Sequence, residues 1–318
     1  MRIALTGADG FVGRHTVGAV RAAGHEALPL VRRLGSGSEA GARAVGDIGP
    51  DTEWTSVIEG CDAVVHLAAA VHESGPESAD HEARMRRVNV DATARLAREA
   101  ARCGVRRVVL ASSIKVMGET SSRSFVESDP PRPVGAYATS KRDAELALWE
   151  TTSATTLEGV VLRPPLVYGP GVGANFRALL GLCDTAWPLP LAGARALRSL
   201  LYVGNLADAL VVTATRPEAA GDTFFVTDDN DVSVADLVTR LRQVFSRPNR
   251  LLTAPLGVLR WTARLAGRED AIARLFEPLR ASPAHLRSRL SWKPPFTVDE
   301  GLANTARWFA MQRSQQHR

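Results

Sequence analysis

The chain has 318 residues, 45% of them hydrophobic, which is enough for one large or two modest domains around a sizeable core. Its formal charge of +5 comes from arginines spread along the chain rather than gathered in runs, which argues against a nucleic-acid-binding tract. Three cysteines without a Cys-x-x-Cys, no clustered histidines and no apolar run of ~18 residues argue against a disulfide framework, a structural metal and a membrane span.

The chain opens directly on a strand pattern, Ile3 to Thr6, without a basic region and a long apolar core before it, so a cytosolic location is expected. Gly7, Gly10 and Gly13 follow the strand at three-residue intervals, and Phe11 and Val12 lead into a helix carrying Val17, Val20 and Ala23. Such a turn lets the backbone approach a diphosphate, and the helix N-terminus then faces the negative charge. The next strand, Glu26 to Val31, ends in Arg32-Arg33, where an NAD site usually places an acid for the ribose 2′-hydroxyl. An arginine fork there suits a 2′-phosphate, so the expected cofactor is NADP or NAD, with NADP favoured.

Asp47-Ile48 follows a small strand. Asp62 to Ala70 then reads as a buried strand that opens into a loop of small residues, Leu67-Ala68-Ala69-Ala70, where a cofactor can lie close. A helix is expected from about Arg84 to Cys103, with Asn89 between apolar neighbours and in need of partners for its amide. A strand from Arg106 to Ala111 delivers Ser112-Ser113 to its carboxyl end, where open α/β sheets place their ligands. Tyr137 and Lys141 stand four apart and share one helix face. A phenol titrates near pH ~10, and a neighbouring cation favours its phenolate. The pair therefore suits exchange of one proton with a sugar or alcohol oxygen while a hydride moves on carbon.

Downstream, Arg163 to Phe176 leaves a strand through a Pro- and Gly-rich bend of the kind that builds a substrate wall. Helices are expected over Asn205 to Thr213, from Ser233 as cap to Phe245, over Leu256 to Leu265, over Ala271 to Leu279, and from Val298 to about Met311 with a frayed polar tail beyond. Asp222 to Val226 reads as a further strand.

Gly7-x-x-Gly10-x-x-Gly13, Asp47, His66-Leu67-Ala68-Ala69, Asn89, Ser113, Tyr137-x-x-x-Lys141 and Arg163-Pro164 together resemble the extended short-chain dehydrogenase/reductase family of nucleotide-sugar epimerases, dehydratases and reductases. The resemblance covers nearly the whole chain. It implies an α/β fold: a doubly wound Rossmann sheet over residues 1–168 and about 200–230, with a smaller substrate domain over 169–199 and 231–318. It further implies Ser113, Tyr137 and Lys141 as catalytic residues. Cofactor contacts would come from Gly7, Gly10, Phe11, Val12, Gly13, Arg32, Asp47 (on adenine), Ile48, Leu67, Ala68, Ala69, Asn89, Tyr137, Lys141 and Pro164. His72, Ser113, Lys115, Asn175 and Arg198 would hold a UDP-sugar, and the modest positive charge suits that anion.

Family dehydratases carry an acidic pair after the serine or threonine, whereas this chain reads Ile114-Lys115. Dehydration is therefore not expected. Ser112 to Val116, Arg163 to Pro170 and Ala174 to Phe176 look most like the branch of UDP-N-acetylquinovosamine dehydrogenases, which reduce UDP-4-keto-6-deoxy-N-acetylglucosamine in polysaccharide assembly. The expected activity is thus reduction at C4, with a UDP-hexose 4-epimerase as the rival and a non-catalytic NADP sensor as the third reading. Family members often pair as homodimers through two long helices, and those near Arg84 to Cys103 and Tyr137 to Thr151 could serve.

Overall fold

The computed structural model describes residues 1–71, 78–255, 257 and 276–316. In chain order its elements are β1 (Arg2–Thr6), α1 (Phe11–Ala22), β2 (Glu26–Val31), β3 (Arg43–Ala44), α2 (Thr55–Ile58) and β4 (Ala63–His66). They continue with α3 (Ala79–Met85), a π-helical segment (Arg86–Asp91), α4 (Ala92–Arg102), β5 (Arg107–Ala111), a 3-10 turn (Ile114–Met117), α5 (Gly135–Ser153), β6 (Glu158–Arg163) and β7 (Leu166–Tyr168). The remainder comprises α6 (Ala174–Cys183), β8 (Leu197–Arg198), β9 (Leu200–Tyr202), α7 (Val203–Thr215), β10 (Thr223–Phe225), β11 (Val232–Ser233), α8 (Val234–Val244), α9 (Ala284–Leu290) and α10 (Val298–Gln316).

Seven strands form one sheet in the order β10-β6-β5-β4-β1-β2-β3, and every pairing in it is parallel. This is the expected Rossmann arrangement. Its central strands are buried on both faces, and their two-residue period divides their side chains between two cores. Ile3, Leu5, Val65, Val109 and Leu162 join α1 and α7 through Val17, Val20, Leu206 and Leu210. Ala4, Leu30, Val64, Val108 and Val161 join α4 and α5 through Leu96, Ala100, Ala144 and Leu148. The strand order reverses beside β1, so the crevice lies between the carboxyl ends of β1 and β4. A separate core gathers Tyr168, Phe176, Leu180, Leu237, Leu241, Leu302 and Phe309 from α6, α8 and α10 around β7 and β9.

Most elements fall where the periodicity places them. The long helix expected from Arg84 is instead a run from Ala79 to Arg102 with a π-helical insert at Asn89, whose side chain is drawn inward to the backbone of Ala70. The tail expected to fray after Met311 remains helical to Gln316, where the Arg313 guanidinium pairs with Asp184 of α6's C-cap. The helix expected over Leu256 to Leu265 lies, apart from Gly257, outside the described residues, as does all but the end of the one over Ala271 to Leu279.

Arg107 at the start of β5 is fully buried. Its guanidinium donates to Glu158 on β6 at 2.6 and 2.9 Å and to the carbonyl of Thr213 at 2.9 Å. It also reaches the Arg216 carbonyl, so one side chain joins two strands to the end of α7. Losing the guanidinium leaves the Thr213 and Arg216 carbonyls without this donor and the partly exposed Glu158 without its partner. Arg107→Ala is expected to lower unfolding stability by about 2–4 kcal/mol, measured by chemical denaturation.

Candidate active site

Gly7 adopts a left-handed backbone, φ 66°, and a Cβ there would stand 2.9 Å from the Ala68 nitrogen. The turn after β1 therefore touches the loop after β4 directly. A Cβ at Gly13 would stand 2.2 Å from the Gly7 carbonyl oxygen and 2.7 Å from Ala8 Cα, so α1 packs down on its own entry turn. Gly10 is the N-cap of α1, and no side chain caps the helix. Its first-turn amides consequently remain as an anion-binding edge.

Thr6 Oγ1 accepts from the amides of Leu67 and Ala68, both at 3.1 Å, which fixes the small-residue loop. Its own proton goes to His66 Nδ1 at 2.7 Å, placing the imidazole proton on Nε2, and burial followed by the charge of Lys141 pushes the His66 pKa down to about 3. Asn89 accepts from the Ala70 amide at 2.8 Å and donates to the Ala70 carbonyl and to Ser140 Oγ, both at 2.9 Å. Ser140 in turn donates to the Tyr137 carbonyl at 2.8 Å. Asn89 is expected above as a cofactor contact; it is 1% exposed with its amide spent on these partners, so its support for a cofactor is indirect.

At the outer edge of the crevice, Arg32 and Asp47 face each other at 3.7 Å, both exposed. Ile48 packs against the core under α4, and the Pro164 carbonyl accepts from the Ile114 amide at 2.9 Å. The uncapped helix, the fixed loop and this exposed pair fit a dinucleotide laid across the sheet's carboxyl edge.

Ser113 leaves β5 as the cap of the 3-10 turn, and its Oγ accepts from the Lys115 amide at 3.2 Å. Tyr137 projects from the first turn of α5 and is hydrogen-bonded to Ser113. Lys141, one turn on, is 4% exposed. The sequence predicts a phenol acidified by that lysine, but burial pushes the Tyr137 phenol up and only the Ser113 hydrogen bond opposes this. Burial also pushes Lys141 down, to about 8, with the Glu145 charge opposing, so in the protein alone desolvation outweighs attraction between the two.

Lys115 is half-buried and held by Glu119, with Nζ at 2.9 and 3.3 Å from its oxygens, rather than reaching freely into the crevice. Asn175 is exposed in the first turn of α6. Arg198, on β8, donates to the Glu277 carbonyl at 2.6 Å. His72 lies outside the described residues.

Beneath the site lies a network that the sequence does not predict. Glu145 accepts from Arg163 Nε at 3.0 Å and Nη2 at 2.6 Å, and from the Ser112 hydroxyl. The four-residue spacing that pairs Tyr137 with Lys141 also puts Glu145 on the same face, and that spacing was the available signal.

Comparison with known proteins agrees with this geometry. Residues 3–226 match the NAD dependent epimerase/dehydratase family. The chain belongs to that family. It is 34% identical over 311 residues to a UDP-glucose 4-epimerase of Vibrio cholerae, covering 96% of this chain and 95% of the relative. It is 30% identical over 312 residues to a 3-diazoavenalumate denitrifying reductase of a Streptomyces species, covering 92% and 96%. Among solved structures, MoeE5 in complex with UDP-glucuronic acid and NAD superposes with a TM-score of 0.78 at 26% identity, covering 99% of this chain and 100% of that one. The family is described as one of NAD-dependent epimerases and dehydratases, in keeping with the uncapped glycine turn after β1. Among the described residues no helix is long and apolar enough to cross a membrane.

Filling the space at Gly13 forces backbone to move where the diphosphate would lie. Overpacking of this kind costs about 1–3 kcal/mol. Gly13→Ala is expected to weaken NAD(H) binding roughly ten- to hundredfold, measured by isothermal titration.

Proposed function

We propose that the chain is a UDP-sugar 4-epimerase that works by reversible oxidation at C4. The observation that carries this reading is the 34% identity, over 96% of the chain, to the 4-epimerase of Vibrio cholerae. The Ser113-Tyr137-Lys141 constellation adds that dehydration is disfavoured, since among the described residues Ile114 and Lys115 follow the serine in place of a carboxyl pair and Lys115 is paired with Glu119. One phenol can serve one oxygen. Among the described residues no carboxyl pair follows the serine to eliminate water from neighbouring carbons.

The dinucleotide, when bound, supplies the acceptor and donor of hydride. The α1 N-terminus and the Gly7–Gly13 turn would hold its diphosphate, Asp47 and Arg32 its adenosine end, and Lys141 its nicotinamide ribose. Ser113, whose Oγ already accepts an amide, donates to the C4 oxygen and fixes it against Tyr137. Tyr137 takes the C4 hydroxyl proton as that carbon is oxidised and returns it as the carbon is reduced. Asn175 and Arg198 would hold the UDP diphosphate from the side of α6 and β8.

A second reading, NADPH-dependent reduction of a UDP-4-keto-6-deoxy-N-acetylhexosamine, runs half of the same cycle. It is favoured by one observation: an exposed arginine, Arg32, stands where an acid would select NAD. An epimerase recycles its cofactor, whereas a reductase consumes it. Interconversion of UDP-glucose and UDP-galactose, or of their N-acetylamino forms, without added cofactor supports the epimerase; stoichiometric loss of NADPH absorbance with the 4-keto sugar supports the reductase instead.

In either reading Tyr137→Phe is expected to cut turnover by roughly 10²–10⁴-fold while cofactor affinity stays near that of the parent, measured by steady-state kinetics and titration. A charge-assisted contact to a 2′-phosphate is worth about 1.5–3 kcal/mol. Arg32→Ala is therefore expected to weaken NADP binding roughly ten- to hundredfold and NAD binding little, measured as the ratio of the two dissociation constants.

A further inference from the structure

Lys141 and Glu145 stand one turn apart on the same face of α5, and both are buried, at 4% and 3% exposure. A lysine and a glutamate so spaced usually close a direct ion pair. Here, among the described residues, the ion pair that Glu145 closes is with Arg163. The Glu145 carboxylate is held by others. Arg163, the last residue of β6, grips it with two nitrogens at 3.0 and 2.6 Å, and the Ser112 hydroxyl, adjacent to Ser113, donates to the same oxygen as Arg163 Nε. Arg163 is fixed in turn by Met117 Sδ at 3.3 Å and lies over the Phe225 ring at 5.8 Å.

We propose that Glu145 is a positioning residue for the reacting site, clamped by Arg163 and Ser112 so that its charge keeps the Lys141 ammonium charged without occupying the ammonium's own donors. The inference rests on the reading of Lys141 as part of that site. The clamp solves a conflict. A buried lysine without a counter-charge sheds its proton, while a lysine bonded directly to a carboxylate has fewer donors to offer a ribose. A carboxylate held a short distance off supplies the field and leaves the nitrogen free. It also fixes the register of α5 against the ends of β5 and β6, which sets Tyr137 against Ser113.

Among the described residues the titratable groups around the ammonium are few. Glu145 and Tyr137 face it from α5, and His66 faces it from β4. His66 is neutral at working pH, and Arg163 acts from β6 through Glu145. Glu145 is thus the carboxylate whose charge opposes desolvation of Lys141.

The chain has three lysines, Lys115, Lys141 and Lys293, so lysine labelled with carbon-13 at Cε gives three resolvable titrations by NMR in the full-length, cofactor-free protein. The Lys141 signal is identified by its loss in Lys141→Met. The parent is expected to titrate at about 8. Glu145→Gln is expected to move this down by roughly one pH unit or more. Arg163→Met is expected to move it up, because the released carboxylate can swing onto the ammonium. A clamp that merely glued helix to sheet would leave the titration unmoved or shift both variants in the same direction, and either result overturns the proposal. Should Glu145→Gln fail to fold, the double variant Glu145→Gln, Arg163→Gln leaves no unpaired partner: a lowered Lys141 titration supports the proposal, and an unchanged one overturns it. None of these readouts requires sugar turnover, so a parent protein inactive on every UDP-sugar would refute the proposed function separately.

Discussion

Keeping an ammonium charged at 4% exposure is the constraint on which the site depends. Desolvation penalises the charged form of Lys141 and of Tyr137 alike, in opposite directions on the pH scale. The lysine is pushed down towards losing its proton and the phenol is pushed up towards keeping its own. At neutral pH the lysine, at about 8, still holds its proton and the phenol keeps its own, so the two attract weakly. The burial that suppresses the pair also excludes water, so any charge brought into the crevice acts there more strongly than it would in bulk solvent. A site of this kind is quiet when empty and responds to what it binds.

The sheet determines which residues can take part. Parallel strands buried on both faces expose polar groups only at their ends, and the carboxyl ends of β1, β4, β5 and β6 deliver Gly7, the Leu67–Ala70 loop, Ser113 and Arg163 to one edge. Helix α5 crosses that edge and brings Tyr137, Lys141 and Glu145 on a single stripe. Asn89 and Ser140 then tie the loop after β4 to the backbone of Tyr137, so a displacement on the cofactor side reaches the proton donor through two hydrogen-bonded side chains. The π-helical insert is the local cost of this tie, since it turns Asn89 inward from a helix whose regular register would leave it elsewhere.

How much of this could be read in advance follows from the range of the forces involved. The strands β1, β2, β5 and β10, the helix after the glycine turn and the Ser233 cap depend on neighbours in sequence, and the apolar period and cap chemistry place them to within a residue or two. The Tyr137-Lys141 face was legible for the same reason. What escaped depends on partners far along the chain. Thr6 bonds His66, Asn89 bonds Ala70 and Ser140, and Glu145 bonds Arg163 and Ser112. None of these pairings leaves a trace in local composition. The sign of the Tyr137 perturbation escaped for a related reason: sequence spacing reports that a cation is near but not how much water both groups have lost, and here the second effect prevails.

The choice between recycling and consuming the cofactor rests outside the proton-transfer machinery. Ser113, Tyr137 and Lys141 would serve either cycle unchanged, because each cycle passes through the same oxidation or reduction at one carbon. What differs is whether the dinucleotide must leave between turnovers, and on the proposed reading its adenosine end contributes to that. There the protein offers Arg32 and Asp47, both largely in solvent and 3.7 Å apart. An exposed pair contributes about 0–1 kcal/mol, so it can be separated at little cost. Arg32 could then turn to a phosphate while Asp47 keeps the base, or stay with Asp47 over an unphosphorylated ribose. On the proposed reading, the residues at the adenosine end are thus exposed, while Tyr137 and Lys141 are buried.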